Sequence, residues 1–108
     1  MPDCKLSIPG SCEIPLPIPD LPPGTATVYV NLEQDSITVK LKFLGMTLTE
    51  SNLTREGPGV VCKHNDGISK HKFHIVAHFS EKRLDVRYEL KVNGRILINK
   101  IFGGIATW

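Results

Sequence analysis

The sequence is short of the features that mark several protein classes. No apolar run approaches the ~20 residues that a membrane-spanning helix needs. The 13 Lys and Arg residues exceed the 11 Asp and Glu residues by only two, whereas a nucleic-acid binder normally carries a strong basic stripe. Aromatic residues make up 6% of the chain, which is too few for a base-stacking surface. We therefore expect no membrane-spanning helix and no nucleic-acid partner.

Cysteine is also scarce, and none of the three cysteines forms a CxxC pair, so zinc-ribbon and redox motifs are excluded. Cys4 and Cys12 could close a small disulfide loop in an extracellular chain, which would leave Cys62 unpaired. Asn52-Leu53-Thr54 matches the N-glycosylation acceptor pattern of secreted proteins. No apolar leader follows Met1, which fits either a mature secreted chain with an added Met or a cytosolic chain. We favour the secreted form.

Patterns of catalytic or metal-ligating residues are missing as well. His74 and His78 would share one face of a strand, but too far apart to hold a tetrahedral metal without another ligand. Cys62 and His64, two residues apart in a strand, would point the same way without meeting, and no acid is placed to orient the histidine. We expect a protein that is not an enzyme, with no catalytic residue, no metal site and no cofactor.

What the chain does have is the composition of a single folded domain over residues 1–108. A mass of 12.0 kDa and a hydrophobic fraction of 41% suffice for one core. Residues 1–24 hold seven of the eight prolines, which excludes a helix there. Because apolar residues alternate with these prolines, we expect an extended segment packed on the core. A proline-rich ligand for a groove-type module is the alternative.

The rest of the chain alternates apolar and polar residues with period two, the pattern of half-buried strands. The clearest stretches are residues 25–32, 36–43, 72–79 and 84–92. Asn93-Gly94 predicts a hairpin, because a type I′ turn needs positive φ at both central positions. We expect about seven or eight strands, no helix, and an all-β sandwich of two antiparallel sheets, with a barrel as the alternative.

A cluster of basic residues flanks the turn signal Asn65-Asp66-Gly67. It contains Lys63, His64, Lys70, His71 and Lys72. Such a cluster can contact a phosphate, a sulfate or a lipid headgroup. We therefore predict that Lys63, Lys70 and Lys72 contact a headgroup or a partner, the alternative being a solvated loop with ordinary lysines.

Several of these features follow an order that is known from one family. An opening Asp3-Cys4 and Ile8-Pro9-Gly10-Ser11-Cys12 precede two long strands, and a loop to Cys62 precedes the hairpin of residues 88–94. This order resembles the ML, or lipid-recognition, domain of Niemann-Pick-type sterol carriers and group 2 mite allergens. The resemblance implies an immunoglobulin-like β-sandwich with a lipid between its sheets. It also places the basic loop near the entrance or near a partner protein.

A second likeness is to galectins, through Val30-Asn31-Leu32, residues 37–43 and Val92-Asn93-Gly94. The His-Asn-Arg strand and the Trp-Glu pair that bind sugar in galectins have no counterparts in this chain. A galectin-like carbohydrate-binding protein is therefore an alternative without a named site residue.

The alternating strands leave two possibilities for the interior. If the two inner faces meet, the core is filled and the domain acts as a protein-interaction sandwich through its surface. If the sheets splay, the same residues line a slot for a hydrophobic ligand.

The ML resemblance favours the slot, in a secreted, non-catalytic lipid-binding protein that holds an acyl chain or a sterol. The predicted walls of the slot are Val28, Val30, Val39, Leu41, Phe43, Phe73, Ile75, Phe79, Val86, Tyr88 and Ile96. A receptor or a membrane surface would be reached through the basic loop. The sequence does not indicate an oligomeric state.

Overall fold

A computed structural model describes residues 4–19, 21–22 and 24–108. The parts of the predicted N-terminal segment at residues 1–3, 20 and 23, Asp3 included, lie outside the described residues. The described residues contain nine strands and no helix, so none of their elements is a helix that could cross a membrane. The strands are β1 (Cys4–Lys5), β2 (Gly10–Leu16), β3 (Ala26–Leu32), β4 (Ile37–Phe43), β5 (Met46–Leu53), β6 (Gly59–Asp66), β7 (Ser69–His78), β8 (Arg83–Val92) and β9 (Arg95–Thr107).

The strands form two sheets, as the alternating sequence predicts. One sheet has the order β2-β3-β4-β5 and the other has the order β1-β9-β8-β7-β6. Strands that follow each other in the chain are antiparallel neighbours in both sheets, and only the two-residue β1 is parallel to its neighbour. The all-β prediction is confirmed, and the nine strands of the described part exceed the predicted seven or eight. A strand as short as β1 has no periodicity that could have revealed it.

Each sheet turns its apolar residues toward the other sheet. In β3 and β4 every second residue is buried, because successive side chains of a strand point to opposite faces. Phe43 of the four-stranded sheet packs edge-on against Phe73 of the five-stranded sheet, with ring centroids 5.2 Å apart. The two inner faces therefore meet in one core, in a sandwich-like arrangement.

The interior is filled at the residues that form its centre. Val28, Val39, Ile75, Val86 and the Phe43 side chain all have 0% solvent exposure. A void wide enough for water would leave part of its lining accessible, so no such void borders these residues. These residues at the centre of the core are therefore closed to water.

The proline-rich segment lies on this core as predicted. Its strand β2 is an edge strand paired with β3, a position that tolerates proline because one side of the strand makes no ladder bonds. Ile14, Leu16 and Ile18 are buried. The predicted disulfide between Cys4 and Cys12 is present, and it joins β1 of one sheet to β2 of the other.

The hairpin turns follow the turn chemistry of the sequence. Asn93 and Gly94 have φ values of 52° and 78°, which confirms the predicted turn with positive φ at both positions. The β4–β5 turn has the same geometry, but it places Leu44 at a φ of 53° and Gly45 at 79°. A leucine in this left-handed region is unusual.

Candidate functional site

The three lysines predicted to contact a headgroup or a partner converge on one surface. Lys63 of β6 lies directly opposite Lys72 of β7, and Lys70 stands two residues before Lys72 on the same face. All three are exposed. This face is the outer side of the five-stranded sheet, turned away from the core.

Two further cations of β8 join them. Lys91 lies directly opposite Lys70, and Arg87 lies directly opposite His74. Sequence alternation places both residues on the outward side of their strand but not beside the predicted cluster. The alternation along β8 indicated that both side chains point outward. Only the pairing of β7 with β8 shows that they lie beside the lysines of β7. We call the surface formed by Lys63, Lys70, Lys72, Arg87 and Lys91 the basic face.

The charge of the basic face is poorly compensated. Among the described residues, the carboxylate that lies between the lysines is that of Glu89, opposite Lys72. The Asp85 carboxylate, on the same side of β8, is paired with His78 and Arg83. The Glu89 carboxylate is 3.6 Å from the Lys91 ammonium. Two lysine pairs, Lys63 with Lys72 and Lys70 with Lys91, stand directly across neighbouring strands, and like charges in that position destabilise a sheet. The whole chain has a net charge of only +2, so this face concentrates positive charge that the rest of the molecule offsets.

The basic side chains border two depressions. The larger has a volume of about 360 Å³ and includes Lys63, Lys70 and Lys91 in its lining. The smaller, of about 120 Å³, lies between Lys72, His74, Arg87 and Glu89. Several ammonium and guanidinium groups can therefore approach one anionic group at the same time.

His64 and His71 lie on the opposite side of the same strands. Their positions in the chain group them with the lysines, but the alternation of side chains turns both toward the interior. Their rings are 5.9 Å apart, and the His71 ring is 4.8 Å from the Phe43 ring. His64 and His71 therefore do not contribute to the basic face.

His71 is buried and hydrogen-bonded to a tyrosine. Its Nδ1 is 2.7 Å from the hydroxyl of Tyr88. Burial lowers the pKa of His71, the nearby His64 lowers it further, and Asp66 acts in the opposite direction. Burial also raises the pKa of Tyr88 to about 12, so the tyrosine keeps its proton at neutral pH.

We expect His71 to make the protein less stable in mild acid. The folded protein binds a proton at His71 more weakly than the unfolded chain, whose histidine has the ordinary pKa of 6.5. Its contribution to stability is therefore complete above that value and is lost as the pH falls below it. Urea unfolding of wild type and His71→Gln at about pH 7.5 and about pH 5 measures this contribution. Glutamine can keep a hydrogen bond to Tyr88 and does not titrate, so the variant should lose less stability on acidification. An equal loss in both proteins would contradict the prediction.

Cys62 has the character of a packing residue. Burial raises the pKa of its thiol to about 11, which keeps it protonated at neutral pH, whereas nucleophilic cysteines need the thiolate form. Cys62 lies opposite Phe73 and packs against the core.

Most of the residues predicted to line a lipid slot lie in the filled core. Nine of the eleven are buried, with exposures of 0–1%. Phe79 is half-buried, packs against the core and contacts Trp108. Ile96 differs from the prediction, because it is 55% exposed and lies opposite Lys91 on the outer side of β9. A bulge at Leu97 shifts the register there, which sequence alternation alone does not reveal.

The glycosylation acceptor Asn52 lies on β5 and is exposed. It is directly opposite Thr38, on the outer side of the four-stranded sheet, and so on the other side of the sandwich from the basic face. A glycan at Asn52 would leave the basic face accessible.

A scan against protein-family models, a search of curated proteins and a search of solved structures each found no match for this chain. A function is therefore inferred from the residues and their geometry.

Proposed function

We propose that this chain is a secreted, non-catalytic binding domain that recognises an anionic partner through its basic face. The observation that carries the proposal is the presence of two pairs of directly opposed lysines on three neighbouring strands, with Glu89 as the nearby carboxylate. Such an arrangement costs stability in the free protein. An anion bound among the four lysines relieves that repulsion, and the same field attracts an anionic partner from a distance.

The filled core supports a domain that acts through its surface. A rigid two-layer scaffold holds the basic side chains on paired strands, so their spacing does not depend on a flexible loop. As part of this proposal, the scaffold is immunoglobulin-like in having two packed sheets, but not in the connections between its strands. Its two sheets are successive meanders, whereas immunoglobulin domains have Greek-key connections.

The Cys4–Cys12 disulfide and the exposed Asn52 acceptor support secretion, because disulfides persist mainly in oxidising compartments. A lipid held between the sheets stays a prediction that requires the packed inner faces to separate. Native mass spectrometry after expression in cells checks it, since a carrier should retain a co-purified lipid.

The proposed function is tested by binding to an immobilised sulfated polysaccharide over a range of salt concentrations. We expect binding that weakens steeply with salt, because each ion pair formed with the polyanion releases a counterion. The double variant Lys63→Gln/Lys70→Gln should reduce the slope of log affinity against log salt by about two, one for each lysine replaced. The control Lys5→Gln/Lys40→Gln removes the same charge from outside the basic face. Equal losses in the two double variants, or no salt-dependent binding by wild type, would refute the proposal.

A further inference from the structure

Exposed apolar side chains are concentrated at one end of the molecule. Among the described residues, eight large apolar side chains are exposed, and five of these belong to the β4–β5, β6–β7 and β8–β9 hairpin ends. We call this region the apolar end; its residues are Leu44, Met46, Ile68, Ile96 and Leu97.

Hydrogen bonds and ring contacts bring these hairpin ends together. The backbone N–H of Asn93 donates to the carbonyl of Ile68 over 3.2 Å, which holds the β6–β7 and β8–β9 turns side by side. The Phe43 ring, next to the β4–β5 turn, is 4.8 Å from the His71 ring near the start of β7. Both sheets thus contribute to the same end.

The chain between β2 and β3 adds further apolar surface there. Leu16 at the end of β2 pairs with Ala26, which pairs with Phe43. The following proline-rich chain lines a concavity of about 400 Å³, and the N–H of Leu44 donates to the carbonyl of Thr25 over 2.9 Å. This chain and the three hairpin ends therefore lie at the same end of the molecule.

Leu44 is placed there at a conformational cost. Its φ of 53° lies in the left-handed region, which disfavours residues with a branched, bulky side chain. The equivalent position of the β8–β9 turn is filled by Asn93, a residue that tolerates this conformation. The Leu44 side chain is also 50% exposed, so it gains little from packing in the free domain. Strain together with exposure makes Leu44 a candidate for a contact outside the domain.

Cations flank the apolar end. Lys70 and Lys91 are the opposed lysines nearest to the β6–β7 and β8–β9 turns, and Arg95 follows the second turn. Ile96 lies directly opposite Lys91, so the apolar end and the basic face share a border. A partner that covers this border must accept apolar side chains and provide negative charge.

We infer that the apolar end docks this domain on an anionic lipid bilayer, with its five apolar side chains in the headgroup and acyl boundary and Lys70, Lys91 and Arg95 against the headgroups. This inference rests on the proposed function, because the basic face supplies the charge. A bilayer interface offers both an apolar medium and a negative surface, whereas a soluble polyanion offers only the charge. Grouped exposed apolar side chains rimmed by polar residues mark protein or membrane interaction sites, and the flanking cations favour an anionic bilayer as the occupant.

Sedimentation with vesicles of phosphatidylcholine and phosphatidylserine tests the inference. Leu44→Asn should weaken binding about tenfold, because it removes the apolar side chain that projects from the turn. Its thermal stability should stay equal or rise, since asparagine adopts positive φ more readily. The control is Ile8→Asn, which removes an apolar side chain of 55% exposure at the other end of the molecule, where Gly10 pairs with Leu32. This control should bind like wild type.

Parallel assays with the sulfated polysaccharide separate this inference from the proposed function. Binding to the polysaccharide but not to the anionic vesicles would overturn the bilayer inference and leave the proposed function standing. The same conclusion would follow if Leu44→Asn bound the vesicles as well as Ile8→Asn does. Binding to neither probe would refute both. Equal binding to vesicles of pure phosphatidylcholine would overturn the role given to the three cations.

Discussion

Replacing Phe43 by alanine should lower the free energy of unfolding by about 3–5 kcal/mol. The ring has no solvent exposure and lies within 6 Å, between ring centroids, of His64, His71 and Phe73 on the facing sheet. Truncation therefore leaves a cavity between the sheets and removes packing that joins them. Urea denaturation of wild type and Phe43→Ala measures the difference in the free energy of unfolding, when both curves are fitted with the same dependence on urea concentration.

Phe79→Ala is the matched control, because the same number of atoms is removed from a half-buried ring that packs on Trp108. We expect it to cost about half as much or less. A loss below roughly 1.5 kcal/mol for Phe43→Ala would indicate a loosely packed interior. That result would favour the lipid slot over a filled core.

Reversing one charge in each opposed lysine pair should weaken binding and stabilise the protein at the same time. In Lys63→Glu/Lys70→Glu, each new carboxylate faces a lysine, Lys72 or Lys91. Replacing repulsion by attraction should add roughly 0.2–1 kcal/mol of stability for each pair. Affinity for the sulfated polysaccharide should fall about a hundredfold or more, because each lysine near an anionic surface is worth about 1 kcal/mol and is here reversed.

Thermal unfolding and the salt-dependent binding assay measure these two opposite changes. The control Lys5→Glu/Lys40→Glu makes the same change in net charge away from the basic face. Lys40 lies opposite Glu50, so this control should lose a little stability and little affinity. Destabilisation of the double variant would contradict the repulsion between the opposed lysines, and binding as tight as that of the control would show that these lysines have no part in binding.

The candidate site was predictable from the sequence only in part. Lys63, Lys70 and Lys72 are close in the chain on either side of one turn, so a hairpin was enough to group them. Arg87 and Lys91 come from the next strand, and their place depends on how β8 pairs with β7. Ile96 was predicted to face inward and is exposed, because the bulge at Leu97 changes which residues of β9 face the core.

Sequence alone determined most of the strands, the hairpin at Asn93-Gly94 and most of the apolar set that fills the core, because side-chain alternation and turn chemistry are local properties. It also indicated that Cys4 and Cys12 pair. Tertiary structure alone decided that the two inner faces pack together at the described core residues, that five cations converge on one face, and that three hairpin ends gather exposed apolar residues. These outcomes depend on strand register and on the distance between layers. Both are set by contacts between residues far apart in the chain, which no local pattern records.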